Sequence, residues 1–144
     1  MTAHQEREGE QVDTTVDWLV ALRAELAAMA AAVCDLEEVA SVTDEVLHLP
    51  GRALPLRTFT PVDSGGRVLV WLHGGGYIAG SIDDVDPLCR SLANRSGRTV
   101  VAVGYRLAPE HPFPSAYDDA CAALAAIASR PRVAAVALGG DSAG

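Results

Sequence analysis

A serine framed by glycines at the end of the sequence constrains the fold more than any other feature. An apolar run at residues 133–138 is followed at 140–144 by the sequence GDSAG. The Gly-x-Ser-x-Gly spacing is typical of a nucleophile elbow, where a buried strand turns sharply toward a helix and holds the serine in a strained conformation. Both glycines are needed because a Cβ atom in so tight a turn would collide with the neighbouring strand or helix. The motif therefore predicts a buried strand that ends at a sharply turned Ser142.

The composition is that of one compact globular domain with an acidic charge balance. The 144 residues are 49% apolar and 21% charged, enough to bury a core. The formal net charge of −8 argues against nucleic acids and anionic membranes as partners. No window reaches the about 18 apolar residues needed to span a bilayer, and the polar N-terminus lacks the apolar centre of a signal peptide. We therefore expect a cytoplasmic protein without an integral membrane segment.

The three cysteines are Cys34, Cys89 and Cys121. Their number is odd, and none has the spacing of a metal ligand or of a Cys-x-x-Cys pair. We expect them to be buried free thiols in a reducing compartment, with metal and disulfide roles as the alternatives.

The first predicted element is an amphipathic helix at residues 13–34. Asp13 or Thr14 fits the N-cap position, and residues 1–11 are expected to form a frayed tail. Apolar residues then recur at helical spacing along one face, at Leu19, Leu22, Leu26, Met29 and Val33. We expect this face to pack on a core.

An alternation of strands and helices is predicted for the rest of the chain. The strands are expected near residues 41–49, 54–60, 67–72 and 99–103 and in the apolar run before Gly140. Strand, helix, strand, helix, strand from residue 67 onward implies right-handed crossovers and a parallel sheet covered on both faces.

Local signals place the ends of the two helices between these strands. Asp86-Pro87 is expected to supply the N-cap and the first residue of one helix, with Gly97 after its end. Its inner face should carry Leu88, Cys89 and Leu92. The other helix is expected to begin with a capping box, Ser115-x-x-Asp118, and to be closed by Pro131.

A second glycine-rich motif follows the strand at 67–72. It is His73 followed by three glycines, at 74–76. In open parallel sheets, ligands bind at the carboxyl ends of the strands, so we expect this loop and Ser142 to meet at one rim. A serine nucleophile needs nearby N–H donors for the oxyanion, and three glycines let the backbone bend until its N–H groups point at that oxygen. The two motifs together predict acyl transfer.

Three segments of the sequence together resemble the hormone-sensitive-lipase branch of the α/β-hydrolase esterases. They are HGGG at 73–76, YRLAPEHPFP at 105–114 and GDSAG at 140–144. The resemblance covers residues 40–144, and it implies hydrolysis of small-molecule carboxylic esters with short or medium acyl chains, without a cofactor or a metal.

By position, the resemblance also implies roles for the residues of both motifs. It makes Ser142 the catalytic nucleophile and the backbone N–H groups of Gly75, Gly76 and Ala143 the oxyanion-hole donors. The residues that support these motifs are His73, Gly74, Gly140, Asp141 and Gly144. Residues 105–114 correspond to a packing element beneath the glycine loop, and we give them no catalytic role.

The fold implied is the N-terminal half of an α/β-hydrolase, a mostly parallel sheet with helices on both faces, preceded by a cap-type helix. Residues 1–36 would be the tail and a helix of a cap over the site. Residues 37–144 would be the first half of the core, truncated at the nucleophile elbow. One departure from the family is Gly104, where an acidic residue often precedes the tyrosine.

No residue of this sequence fits the remaining members of a catalytic triad. In this fold the triad acid and histidine follow the serine, whereas His4, His48, His73 and His111 all precede Ser142. We expect His73 to brace its own loop and His111 to be structural. The 144-residue chain should then be an esterase fragment, catalytically silent and poorly folded, with its last strand as an exposed apolar edge.

Two other functions stay open. Gly74-x-Gly76-x-x-Ala79 formally fits a dinucleotide-binding fingerprint between a strand and a helix, although the next strand ends without the acidic residue that would bind a ribose. A protein of the same fold could also bind a small molecule without turning it over, having kept the pocket and lost the base.

Overall fold

The computed structural model describes residues 14–144. The helices are Thr14–Ala31 (α1), Asp86–Ser96 (α2) and Ser115–Ala128 (α3), and the strands are Ser41–Leu49 (β1), Arg52–Thr60 (β2), Arg67–Leu72 (β3), Thr99–Val103 (β4) and Ala135–Gly140 (β5). The predicted tail, the N-cap candidate Asp13 and His4 lie outside the described residues. In the described part of the chain, no helix has the length and apolar character required to cross a membrane.

The five strands form one mixed sheet in the order β1-β2-β4-β3-β5. β1 and β2 form an antiparallel hairpin, and β2 is antiparallel to β4. β3 lies parallel to both β4 and β5, which confirms the parallel arrangement predicted from residue 67 onward. Because β3 and β5 are parallel neighbours, their carboxyl ends share one edge, with Leu72 opposite Gly140.

A hydrophobic core lies on each face of this sheet. The core under α3 contains Leu54, Leu56, Val68, Val70, Val101, Val103, Ala123 and Ile127. The core under α2 contains Phe59, Val85, Cys89, Ala93, Val100 and Ala102. Successive strand residues point to opposite faces, so Val100 and Val101 enter different cores. The prediction of a sheet with helices on both faces is confirmed.

The predicted start of α2 is wrong by one position. Asp86 is the first helical residue, and the N-cap position is taken by Val85, which makes no side-chain capping bond. The Asp86 carboxylate instead accepts hydrogen bonds from Arg57, at 3.2 Å, and from Arg90, at 2.5 Å. An ion pair to β2 thus replaces the predicted cap. The predicted end is confirmed, because Gly97 adopts the left-handed conformation.

The predicted capping box of α3 is wrong as well. The N-cap position belongs to Pro114, which has no side chain able to accept a bond, and Ser115 is already helical. Asp118 donates its backbone N–H to the Pro114 carbonyl at 2.9 Å, so the first turn is closed by the main chain.

Five side chains that were predicted to be buried are exposed. They are Met29, Val33, Leu88, Cys34 and Cys121. α1 ends at Ala31, before two of these positions, so the helical periodicity no longer applies to them. Only Cys89 of the three cysteines is buried, and all three are free thiols.

The packing of β2 yields a stability prediction. Leu56 is 1% exposed in the core under α3, so Leu56→Ala should lower the free energy of unfolding of the folded protein by about 2–5 kcal/mol through lost burial and a residual cavity. Urea denaturation followed by circular dichroism measures the change. Val62→Ala, at a position 96% exposed, is the control and should stay within about 0.5 kcal/mol of the parent. Equal losses in the two variants would contradict the core assignment.

Candidate active site

The serine motif and the glycine loop lie in direct contact at the shared edge of β3 and β5. The Gly74 N–H donates to the Asp141 carboxylate at 3.1 Å. The Asp141 N–H in turn donates to the Leu72 carbonyl at 3.4 Å, which extends the ladder between the strands by one step. The parallel register therefore brings residues 73–76 and 140–144 to one rim.

The chain turns sharply at Ser142. Its φ is +53°, in the left-handed region that non-glycine residues rarely adopt, and its side chain is exposed. The turn is closed by a bond from the Gly144 N–H to the Asp141 carbonyl at 2.8 Å. A Cβ atom on Gly140 would lie 2.3 Å from the Gly144 carbonyl carbon, and one on Gly144 would lie 2.1 Å from the Leu72 carbonyl oxygen. Both positions thus require glycine for the predicted steric reason.

The triple-glycine loop is a tight turn with positive φ angles. Gly75 has φ +122° and Gly76 has φ +62°. The Gly75 carbonyl accepts the N–H groups of both Ile78, at 3.1 Å, and Ala79, at 3.0 Å. Within residues 14–144, the N–H groups of Gly75, Gly76 and Ala143 donate to no protein acceptor. The protein atoms described here therefore leave these three N–H groups without an acceptor.

His73 braces this loop from below. Its ring is 2% exposed and stacks on the Tyr105 ring, with 4.2 Å between centroids and 11° between planes. The imidazole Nδ1 lies 2.8 Å from the Gly74 carbonyl, so it must carry the proton and donate. Burial lowers the pKa of the imidazole, which keeps the ring neutral. The Tyr105 hydroxyl donates to the His73 carbonyl.

The proline-rich segment lies against the same loop. Tyr105 supports His73, and the Ala108 N–H donates to the Tyr77 carbonyl at 2.8 Å. Residues 105–114 thus hold the glycine loop through one side-chain and one backbone hydrogen bond, as expected of a packing element. His111 is exposed, and no hydrogen bond joins any histidine to Ser142 within residues 14–144.

An apolar cavity of about 610 Å³ opens beside the serine motif. Its walls include Leu72, Tyr77, Ile78, Phe113, Tyr117 and Ala143. The sequence analysis missed Phe113 and Tyr117. Their place in the sequence, after β4, could have indicated that they lie near the site. Loops that follow parallel strands gather at the same edge of the sheet.

Arg23 of α1 also reaches this loop, and the sequence analysis missed it. Its Nε donates to the Ile78 carbonyl at 2.7 Å, and its Nη2 donates to the Ala108 carbonyl at 2.9 Å. The guanidinium also forms a two-pronged pair with Glu110, at 2.6 and 2.9 Å. The hydrogen bond from Arg23 lowers the pKa of the Glu110 carboxyl to about 2. These partners are far apart in sequence, so no local pattern could have predicted the contact.

The dinucleotide fingerprint does not have the structure that it requires. In that fold the glycines open directly into a helix, whose N-terminus binds the pyrophosphate. Here residues 76–85 form turns, and α2 begins only at Asp86. The Gly74 N–H is also occupied by Asp141.

The geometry of the glycine loop yields a second stability prediction. A Cβ atom on Gly75 would lie 2.1 Å from the Ala79 carbonyl oxygen, whereas one on Gly51, also at positive φ, would meet nothing within 4 Å. Gly51→Ala should therefore cost about 1–2 kcal/mol of unfolding free energy from backbone strain alone. Gly75→Ala should cost about 1–3 kcal/mol more, because the loop must shift. Chemical denaturation of the two variants gives the comparison, and a Gly75 variant as stable as the Gly51 variant would contradict the loop geometry.

Comparison with known proteins agrees with this geometry. A family model described as the alpha/beta hydrolase fold matches residues 69–144. The chain is 50% identical over 74 residues to an ethyl acetate hydrolase of Pseudomonas putida, an alignment that covers 49% of this chain and 23% of the relative. It is 38% identical over 140 residues to the carboxylic ester hydrolase LipN of Mycobacterium tuberculosis, covering 89% of this chain and 36% of the relative. The chain thus spans about a quarter to about a third of the length of these relatives.

Solved structures show the same likeness. An ester hydrolase from the metagenome of Lake Arreo, in complex with a derivative of bipyridine phosphonate, is 36% identical and superimposes with a TM-score of 0.80 over 88% of this chain and 43% of that chain. A hyperthermophilic esterase from the archaeon Pyrobaculum calidifontis is 36% identical, with a TM-score of 0.73 over 97% of this chain and 45% of that chain. The chain belongs to the α/β-hydrolase fold family, in its branch of hormone-sensitive-lipase-like esterases.

Proposed function

We propose that the protein to which this chain belongs hydrolyses carboxylic esters, with Ser142 as the nucleophile. The observation that carries the proposal is the contact between the two motifs. Ser142 sits exposed on a strained turn at the end of β5, and Asp141 beside it binds the glycine loop at 3.1 Å. The relatives named as ester hydrolases support the same activity.

The oxyanion would be bound by the N–H groups of Gly75, Gly76 and Ala143. All three lack protein acceptors within the described residues, and they belong to the two motifs that meet at the rim. The Gly74 N–H is not a candidate donor, since Asp141 already occupies it. Its bond instead fixes the start of the loop. Fixed N–H donors aimed at a developing negative charge are typically the largest single contribution to acyl transfer.

In this mechanism the Ser142 hydroxyl oxygen attacks the carbonyl carbon of the ester and loses its proton to a base. The carbonyl π electrons move to the oxygen, which the three N–H groups stabilise. Collapse of this intermediate expels the alcohol, which takes up a proton, and leaves an acyl-serine. Water then attacks the acyl-serine in the same way, releasing the acid and restoring the hydroxyl.

The base that activates Ser142 is not among the described residues. Within residues 14–144 neither His73 nor His111 forms a hydrogen bond to Ser142, and His73 is buried. In this fold the acid and the histidine follow the nucleophile, so we assign both to sequence after Gly144 in the whole protein.

The substrate that fits the site is a small uncharged ester. The cavity beside Ala143 is lined mainly by apolar and aromatic side chains, such as Phe113 and Tyr117, which favour an acyl chain over a charged group. The net charge of −8 disfavours anionic substrates and nucleic acids. We also assign α1 to a cap over this site, since Arg23 ties it to the loop that borders the cavity.

A non-catalytic binding protein of the same fold is the second candidate. The observation that favours it is the absence of a histidine bonded to Ser142 within residues 14–144, beside a formed apolar cavity. A whole protein that binds a small ester and never turns it over would support this candidate. We assign either protein to the cytoplasm, on the strength of three free cysteines.

Replacement of the serine tests the proposed reaction. Ser142→Ala in the whole protein should lower kcat for p-nitrophenyl acetate by at least about 10⁴-fold, because the nucleophile is lost while the oxyanion donors stay. Spectrophotometric release of p-nitrophenol measures it. Ser64→Ala, in the turn between β2 and β3, is the matched control and should leave kcat unchanged. An active Ser142 variant would overturn the assignment.

The 144-residue chain by itself should not hydrolyse esters. Without a base, the Ser142 hydroxyl is a weak nucleophile at neutral pH. β5 is also an edge strand in the described part of the sheet, with Leu138 55% exposed, so the isolated chain should aggregate. The purified chain is assayed with p-nitrophenyl acetate and by light scattering. Turnover that disappears on Ser142→Ala would show that a base is present after all.

A further inference from the structure

We infer that Arg23 is a positioning residue for the triple-glycine loop. By holding the turn after the glycines, it sets the direction of the Gly75 and Gly76 N–H groups. The inference rests on the proposed function, because it assigns those groups to the oxyanion. It concerns a side chain on α1, outside the three segments that carry the family resemblance.

The guanidinium joins three parts of the molecule. It is anchored on α1, and it donates to the Ile78 carbonyl at 2.7 Å and to the Ala108 carbonyl at 2.9 Å. Glu110 accepts two further bonds, at 2.6 and 2.9 Å, which fix the plane of the guanidinium. A planar group held in this way gives each of its donors a defined direction.

The Arg23 guanidinium acts on the glycines through Ile78. The N–H groups of Ile78 and Ala79 both donate to the Gly75 carbonyl, so residues 75–79 form one closed turn. Arg23 donates a hydrogen bond to the Ile78 carbonyl, at the opposite end of this turn. Fixing that carbonyl restricts the rotation of the whole turn, including the peptide that carries the Gly76 N–H.

The glycines need such a support because they have little conformational preference of their own. Gly75 and Gly76 lie at φ +122° and +62°, and glycine can leave either conformation at small cost. The neighbouring backbone bond, from the Ala108 N–H to the Tyr77 carbonyl, holds only one side of the turn. The hydrogen bond from Arg23 to the Ile78 carbonyl holds the other side of the turn. An oxyanion hole is effective only when its donors are oriented before the reaction.

The stability contributed by the Arg23–Glu110 ion pair does not account for this arrangement. The side chains of Arg23 and Glu110 are 30% and 54% exposed, and ion pairs this exposed add little to folding. The structure contains a matched control in Arg130 and Glu45, which lie 2.7 Å apart with 32% and 40% exposure. That pair joins the turn after α3 to β1, and neither side chain forms a hydrogen bond to the glycine loop within residues 14–144.

The experiment compares Arg23→Ala, Arg23→Lys and Arg130→Ala in the whole protein with p-nitrophenyl acetate as substrate. The two Arg23 variants should lower kcat about 10–100-fold with KM changed less than about threefold, because misplaced donors act on the transition state. Arg23→Lys should not restore the rate, since an ammonium lacks the planar fork. Arg130→Ala should keep the parent kcat, and all variants should melt within a few degrees of the parent.

Amide hydrogen exchange of residues 75–80, followed by mass spectrometry, provides a second measurement that does not depend on activity. Exchange should be faster in both Arg23 variants than in the parent or Arg130→Ala. If the parent hydrolyses the ester and the Arg23 variants keep its kcat, or raise KM alone, the inference is overturned and the proposed function stands. If the parent is inactive, the proposed function fails. Unchanged exchange in the Arg23 variants would overturn the inference that Arg23 positions the glycine loop.

Discussion

The close approach of the two strand ends, β3 and β5, is the constraint on which the site depends. Leu72 lies opposite Gly140, and the turn that follows brings Gly144 back against the Leu72 carbonyl, where a Cβ atom would lie 2.1 Å away. Only glycine allows this approach. It places the Asp141 carboxylate 3.1 Å from the Gly74 N–H. The requirement for glycine at this approach therefore strains the turn at Ser142 and also fixes the glycine loop beside it.

The rest of the sheet holds that contact in place. β3 is flanked on both sides by parallel neighbours, and its alternate side chains enter the cores under α2 and α3. A strand fixed on two faces and two edges is a rigid support, whereas the loops at its carboxyl end carry the free N–H groups. The loop at residues 73–76 likewise has a fixed part and an accessible part. His73 is buried and stacked on Tyr105, and only the glycines after it face the rim.

Local patterns predicted the strands, the two motifs and their meeting point, because each depends on short-range sequence or on the parallel register alone. These local predictions were wrong where a residue far away in the sequence determines the contact. Asp86 leaves the N-cap role because Arg57 of β2 binds it, and Arg23 finds Glu110 across the fold. Gly104 follows the same logic, since a Cβ atom there would lie 2.7 Å from the Pro55 ring. An acidic residue at that position would therefore require the Pro55 ring to shift.

In the proposed reaction, residues 14–144 would supply the oxyanion donors but no group that takes the serine proton. No hydrogen bond joins His73 to Ser142 within residues 14–144. Its imidazole is buried and stacked on Tyr105, and burial lowers the pKa of that imidazole, which makes it a weaker base. In the proposed reaction the oxyanion donors depend on backbone geometry at the ends of β3 and β5, whereas the base that activates Ser142 would come from outside residues 14–144.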